Sequence, residues 1–123
     1  MAAYPDAELT RSIIGAAFEV HNILGAGFLE KVYRNALVKE LRLRGIQVQA
    51  EVQIPVYYKD ELVGDYYADI LVDGRIILEL KALSALTSEH EAQLLNYLKA
   101  TGYKMGLLLN FGAKQVQIKR RIL

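Results

Sequence analysis

Residues 66–81 read Tyr66-Tyr67-Ala68-Asp69-Ile70-Leu71-Val72-Asp73-Gly74-Arg75-Ile76-Ile77-Leu78-Glu79-Leu80-Lys81. Two apolar runs, Ile70 to Val72 and Ile76 to Leu80, flank an Asp-Gly turn signal, and three charged groups interrupt them: Asp69, Glu79 and Lys81. Residues two apart on a strand share a face, so Glu79 and Lys81 stand side by side while Ile76, Leu78 and Leu80 point the other way. The side on which Asp69 falls depends on the hairpin register. A two-residue Asp73-Gly74 loop sets Asp69 opposite Leu78, on the wrong face. A three-residue loop with Gly74 left-handed sets it opposite Glu79, so that all three groups converge. The second register is the expectation. Charged groups next to a core are costly unless they pair or hold a metal, so two acids and a lysine at this spacing suggest a hard-cation site with a positioned ammonium beside it. Taken alone, Glu-X-Lys is common and reads more readily as a solvated salt-bridge ladder. The apolar flanks shift the reading toward a buried central hairpin.

Composition narrows the classes. At 123 residues the chain is expected to form a single domain over 1–123. A hydrophobic fraction of 53% excludes a disordered chain. The net charge of +1 provides no general electrostatic footprint for nucleic acid, so such binding must come from a local arrangement. Lys119, Arg120 and Arg121 form the one basic cluster and read as a solvated tail. The absence of cysteine removes disulfides, thiolate sites and thiol nucleophiles, and two histidines, His21 and His90, supply a zinc site poorly. With no signal-peptide pattern and no apolar run long enough for a bilayer, the expectation is a cytoplasmic protein with no membrane partner.

In chain order, Asp6 reads as an N-cap for a helix whose apolar positions are Leu9, Ile13, Ala16, Ala17, Val20 and Leu24. Gly25-Ala26-Gly27 stops it. A second helical pattern, Leu29, Val32, Tyr33, Ala36, Leu37 and Leu41, runs to Gly45. Glu30 lies in its first turn on the side of Tyr33 and Leu37. On spacing alone, an acid three residues after a glycine N-cap satisfies backbone N–H groups and the helix dipole. Likewise, His21 reads by itself as a partly exposed structural histidine. Residues 46–58 alternate, with Val48, Ala50, Val52, Ile54 and Val56 facing one way, and Pro55 suggests an edge or irregular position. Lys59-Asp60 turns into the strand of Asp69, completing a three-stranded meander. Ser88 with Glu91 suggests a capping box for a third helix, which ends at Gly102. Leu94, Leu95 and Leu98 form its core stripe, with His90, Gln93 and Tyr97 on a neighbouring polar ridge. Met105 to Leu109 reads as a strand buried on both faces, and Val116, Ile118 and Ile122 as a last strand. The predicted order, ααβββαββ, implies an α/β (α+β) fold, a mixed sheet of about five strands flanked by helices.

Asp69, then Glu79-Leu80-Lys81, then a helix carrying Gln93-Leu94-Leu95-Asn96-Tyr97 together resemble the PD-(D/E)XK nuclease superfamily. Gly27-Phe28-Leu29-Glu30-Lys31-Val32-Tyr33 adds a resemblance to the GxxExxY proteins assigned to it. The likeness covers nearly the whole chain from Leu9 onward, and its force lies in the ordered set of motifs. Ala68 stands where the superfamily name has proline, which leaves the acid in place. The resemblance implies a restriction-endonuclease-like core and hydrolysis of phosphodiester bonds, in DNA first, with RNA also open. It implies that Asp69 and Glu79 hold Mg²⁺ or Mn²⁺, with Glu30 as a further ligand, directly or through water. Lys81 would position water or neutralise charge on the phosphate, and Gln93 and Tyr97 would orient Lys81 or the substrate backbone. His21, as in some RecB-like nucleases, and Tyr33 are accessory candidates. Two readings of other classes stand beside this one: a catalytically silent module that binds nucleic acid or a protein, and a subunit of a repair or defence assembly. A homodimer also suits so small a nuclease.

Overall fold

The computed structural model describes residues 6–123. Residues 1–5, and with them the N-terminal boundary of the expected domain, lie outside the described residues. The elements follow the order read from the sequence: α1 (Ala7–Leu24), α2 (Glu30–Leu43), β1 (Val48–Tyr58), β2 (Glu61–Val72), β3 (Ile76–Lys81), α3 (Ser88–Thr101), β4 (Met105–Asn110) and β5 (Gln117–Ile122). The sheet runs β1-β2-β3-β4-β5, antiparallel throughout except for the parallel β3–β4 pair that α3 connects. None of the described helices is long and apolar enough to cross a membrane.

Two apolar layers sandwich the sheet. On one face α1 and α2 bury Ile13, Ala16, Ala17, Val20, Tyr33, Leu37 and Leu41 against Ile70, Val72, Ile76, Leu78, Leu80, Leu107 and Leu109. On the other, α3 buries Leu94, Tyr97 and Leu98 against Ile54, Ala68, Leu71, Ile77 and Leu108. Strands β3 and β4 are covered on both sides, which accounts for their continuous apolar runs.

The hairpin has the three-residue register: Val72 pairs with Ile76 and Ile70 with Leu78. Asp73 and Gly74 both adopt left-handed backbone, φ 51° and 64°, and Arg75 N–H donates to the Val72 carbonyl. Asp and Gly tolerate that conformation best, so the turn chemistry selects the register that brings the acids together.

Several local expectations change. Asp6 is left-handed and makes no side-chain cap; its carboxylate pairs with Arg75 across the fold. Leu29, 80% exposed, is the N-cap of α2 and lies off the buried stripe, so Glu30 is the first helical residue and not the third. The cap of α3 is Thr87, whose N–H donates to His90 Nδ1 at 3.1 Å, one residue earlier than the Ser88/Glu91 pattern suggests. Lys119 to Arg121 belong to β5 rather than to a tail, and Arg121 forms an ion pair with Glu91 of α3.

The alternation in β1 also breaks. Val48 packs with the α1/α2 layer, whereas Val52 and Ile54 pack with the α3 layer. Across the ladder, Ile70 and Ala68 divide in the same way. Glu51, between them, has φ 54°, and the strand pairing steps from Ala50–Ile70 to Val52–Ala68. A left-handed residue inside a strand interrupts the two-residue period, so the hairpin changes face at Glu51 and Asp69.

Candidate active site

The face change places Asp69 at the end of the regular β2–β3 ladder, where side chains replace backbone partners. Asp69 N–H donates to Glu79 Oε1 at 3.2 Å, and Leu80 N–H donates to Asp69 Oδ2 at 2.7 Å. Each carboxylate therefore has one oxygen held by the neighbouring strand. Glu79 is only 7% exposed, in a sheet whose other β3 residues are nearly all apolar.

Burial dominates the electrostatics. It raises the Asp69 carboxyl above its ordinary value, against the Leu80 N–H, Lys81 and Arg34, which lower it, while Glu51 adds to the rise. Glu79 is pushed from 4.5 up to about 8, first by burial and next by the charge of Asp69, with the Asp69 N–H and Lys81 opposing. Two desolvated carboxylates that repel one another ionise together only at a cost, so each holds its proton more tightly than an isolated acid. Lys81 acts on both acids, as the shared face of Glu79 and Lys81 requires.

The other sequence candidates bear on this centre unequally. Tyr97 reaches it from α3: burial first, then the charges of Glu79, Tyr66 and Asp69, push its hydroxyl up to about 12. Gln93, one turn earlier, is half-buried and lines a groove with Tyr97. Glu30 is exposed at the start of α2, and its charge is the last of the influences on Glu79. Among the described residues no three carboxylate, imidazole or thiolate groups are assembled into a metal cage, so Glu30 does not close a triad with Asp69 and Glu79. His21 hydrogen-bonds through Nε2 to the Ala113 carbonyl at 3.1 Å and lies near Phe111; it is not among the groups acting on either acid.

Tyr33 has a structural task. Its ring is fully buried and stacks on Phe111 at 4.8 Å, while its hydroxyl donates to the Gly25 carbonyl and accepts from Phe28 N–H. It thus pins the α1–α2 loop that leads into Glu30. Tyr33→Phe keeps the stack and leaves two backbone groups without that partner. A loss of about 1–3 kcal/mol is expected, read as a lower urea midpoint at unchanged m-value. An unchanged midpoint would refute the pin.

Three residues near the site escaped the sequence reading. Arg34 and Glu51 form an ion pair at 2.8 Å, and both influence Asp69. Glu51 falls on the polar side of an alternating strand, so no periodicity signalled it. Asn110, fully buried at the end of β4, uses its whole carboxamide: Oδ1 accepts from Leu83 and Gly112 N–H at 2.8 and 3.2 Å, and Nδ2 donates to the Leu83 carbonyl and to Gln117 Oε1 at 2.9 and 2.8 Å. Phe111 N–H donates to the Lys81 carbonyl. This clamp fixes the end of β3, and therefore Lys81. A polar residue closing a fully apolar strand was the available signal.

A mixed five-stranded sheet with an acid pair just beyond the last paired residues of β2 and β3, and a lysine two residues on, fits a nuclease-like α+β class. The chain belongs to the PD-(D/E)XK nuclease superfamily, whose family model matches residues 7–122. Among solved structures, one titled "Crystal structure of SSO0001" is similar in fold, with a TM-score of 0.59 at 16% identity, covering 95% of this chain and 59% of that one. The chain thus spans less than two thirds of that relative's length. No curated protein matches.

Proposed function

We propose that this domain is a divalent-metal-dependent nuclease that hydrolyses phosphodiester bonds, with DNA as the first substrate class to test. Within the superfamily, Gly27, Glu30 and Tyr33 support a place among the GxxExxY proteins. The observation that carries the functional reading is the pairing of two desolvated carboxylates on adjoining strands, Asp69 and Glu79, each with one oxygen tethered by a backbone N–H of the other strand and each under the influence of Lys81. Such a pair fits Mg²⁺ or Mn²⁺, which commonly take one or two carboxylates and fill their remaining positions with water and phosphate oxygens. Asp69 and Glu79 would hold the ion; Glu30 would act from the helix through water. When bound, the ion supplies positive charge that polarises the phosphodiester and acidifies water. Lys81 contributes a fixed ammonium beside the same carboxylates, placed to offset charge that develops on the phosphate. Tyr97 and Gln93 border the site from α3 and orient the substrate backbone or Lys81.

One observation favours binding without turnover as a second reading: with its carboxyl pushed up to about 8, Glu79 is mostly neutral at pH 7 without a cation, which lowers repulsion of a phosphate. Cleavage of labelled single- and double-stranded DNA and RNA with Mg²⁺ or Mn²⁺ separates the two. Chelator-sensitive cleavage that falls by roughly 10²–10³-fold in both Asp69→Ala and Lys81→Ala is the expected result. Equal trace cleavage in all three proteins would mark contamination. Metal-independent binding without cleavage would establish the second reading.

A further inference from the structure

A groove of about 500 Å³ opens between α3 and the distal half of the β1–β2 hairpin, lined by Val56, Tyr66, Gln93, Asn96, Tyr97 and Lys99 among others. Tyr97 links it to the acid pair, since it lines the groove and its hydroxyl feels the charge of both carboxylates, and Tyr66 stands three residues before Asp69 on β2. We infer that this groove is a subsite for one unpaired nucleotide next to the scissile phosphodiester, with Tyr66 as the platform on which its base stacks. The inference rests on the nuclease reading and narrows its substrate class to single-stranded or locally unpaired nucleic acid.

The volume suits a small organic ligand. The chemistry of the walls suits a nucleotide. Tyr66 is 48% exposed, and its ring lies against that of the buried Tyr97 at 5.7 Å and 44°, so the inner ring supports an outer one that is about half open to solvent at the groove. Tyr97 itself is buried and cannot be the platform. Gln93 and Asn96 offer carboxamides, which carry both donors and acceptors as base edges do. Lys99, three residues after Asn96 on the same helix, adds an ammonium for a flanking phosphate. An intact duplex hides its base faces within the stack, so a tyrosine platform rewards only an unpaired base. The remaining exposed tyrosines of the hairpin, Tyr57, Tyr58 and Tyr67, do not line this groove.

The test uses fluorescence anisotropy of labelled single- and double-stranded oligonucleotides in EDTA, so that binding is read without turnover. The proteins are the wild type, Tyr66→Ala and Tyr66→Phe, each checked for folding by circular dichroism. The expected result is tighter wild-type binding of the single strand, weakened roughly 5- to 100-fold by Tyr66→Ala and restored by Tyr66→Phe, with duplex binding little changed. Equal single-strand affinities of wild type and Tyr66→Ala, or equal losses on both forms, would overturn the subsite. If cleavage persists in that case, only the subsite is lost. If the wild type neither binds nor cleaves any nucleic acid, the nuclease reading fails and the subsite with it.

Discussion

Glu79→Gln is expected to raise the stability of the metal-free protein at pH 9 while removing the Mg²⁺ response and nearly all of the nuclease activity proposed above. The sign follows from linkage. The folded-state pKa of Glu79, about 8, lies above its ordinary 4.5, so the folded protein binds the proton more tightly than the unfolded chain. Its contribution is fully present below pH 4.5 and is lost as pH rises through about 8. At pH 9 the wild type carries an ionised, desolvated carboxylate against that of Asp69. Glu79→Gln removes this charge and keeps an oxygen for the Asp69 N–H. The gain is on the order of a few kcal/mol, roughly 10 °C in Tm, and it should vanish near pH 4, where Glu79 is neutral in both states. Mg²⁺ should reverse the order, because a cation competes with the proton for the same oxygens: saturating Mg²⁺ raises the wild-type Tm at pH 9, more than at pH 6, and leaves the variant unmoved. Cleavage should fall by about 10²–10³-fold. Differential scanning calorimetry across pH, with and without Mg²⁺, reads the stability changes, and cleavage of labelled DNA reads the activity. A variant less stable than wild type at pH 9, or an equal response of both to Mg²⁺, would sink the assignment of Glu79 as a desolvated cation ligand.

Gly112→Ala is expected to cost about 3 kcal/mol or more, since among the described glycines this is the position where an added Cβ meets backbone atoms most closely. A Cβ at this position would lie 2.3 Å from the Leu83 nitrogen and 2.5 Å from the Ala82 carbonyl carbon and the Leu83 oxygen. These are backbone atoms, so no rotamer change relieves the contact. The segment after β4 and the segment after β3 approach this closely because Asn110 ties them together through Leu83. Forcing them apart strains that clamp and moves the end of β3 that carries Lys81. The variant should therefore melt roughly 10 °C lower and, assayed at a temperature where it remains folded, cleave more slowly than wild type. Wild-type stability for Gly112→Ala would show that the two segments separate without cost, and the account of how Lys81 is positioned would fall.

The two substitutions probe different layers of the same design. Glu79 tests the chemistry of the acid pair directly. Gly112 tests whether a contact that is not itself catalytic fixes the geometry of the lysine beside it. If the first behaves as expected and the second does not, the site is real but its lysine has more latitude than the clamp implies.

The sequence alone determined the order of elements, the buried character of β3 and β4, and the presence of Asp69, Glu79 and Lys81 on adjoining strands. Each of these follows from local quantities: hydrophobic period, turn residues and strand parity. Even the register was legible, because Asp73-Gly74 can adopt left-handed backbone and only the three-residue loop joins the acids. What only the tertiary structure decided depends on contacts far apart in the chain. The Asn110 carboxamide meets Leu83, and Arg34 meets Glu51 beside Asp69, through packing that no window of sequence contains. The face change at Glu51 is the plainest case. Alternation predicts one inward face for Val48 to Val56, but a single left-handed residue breaks the period and divides those side chains between two cores. Glutamate rarely adopts that backbone, so nothing local announced it. The surrounding sheet holds it there, at the point where β2 must present Asp69 to Glu79.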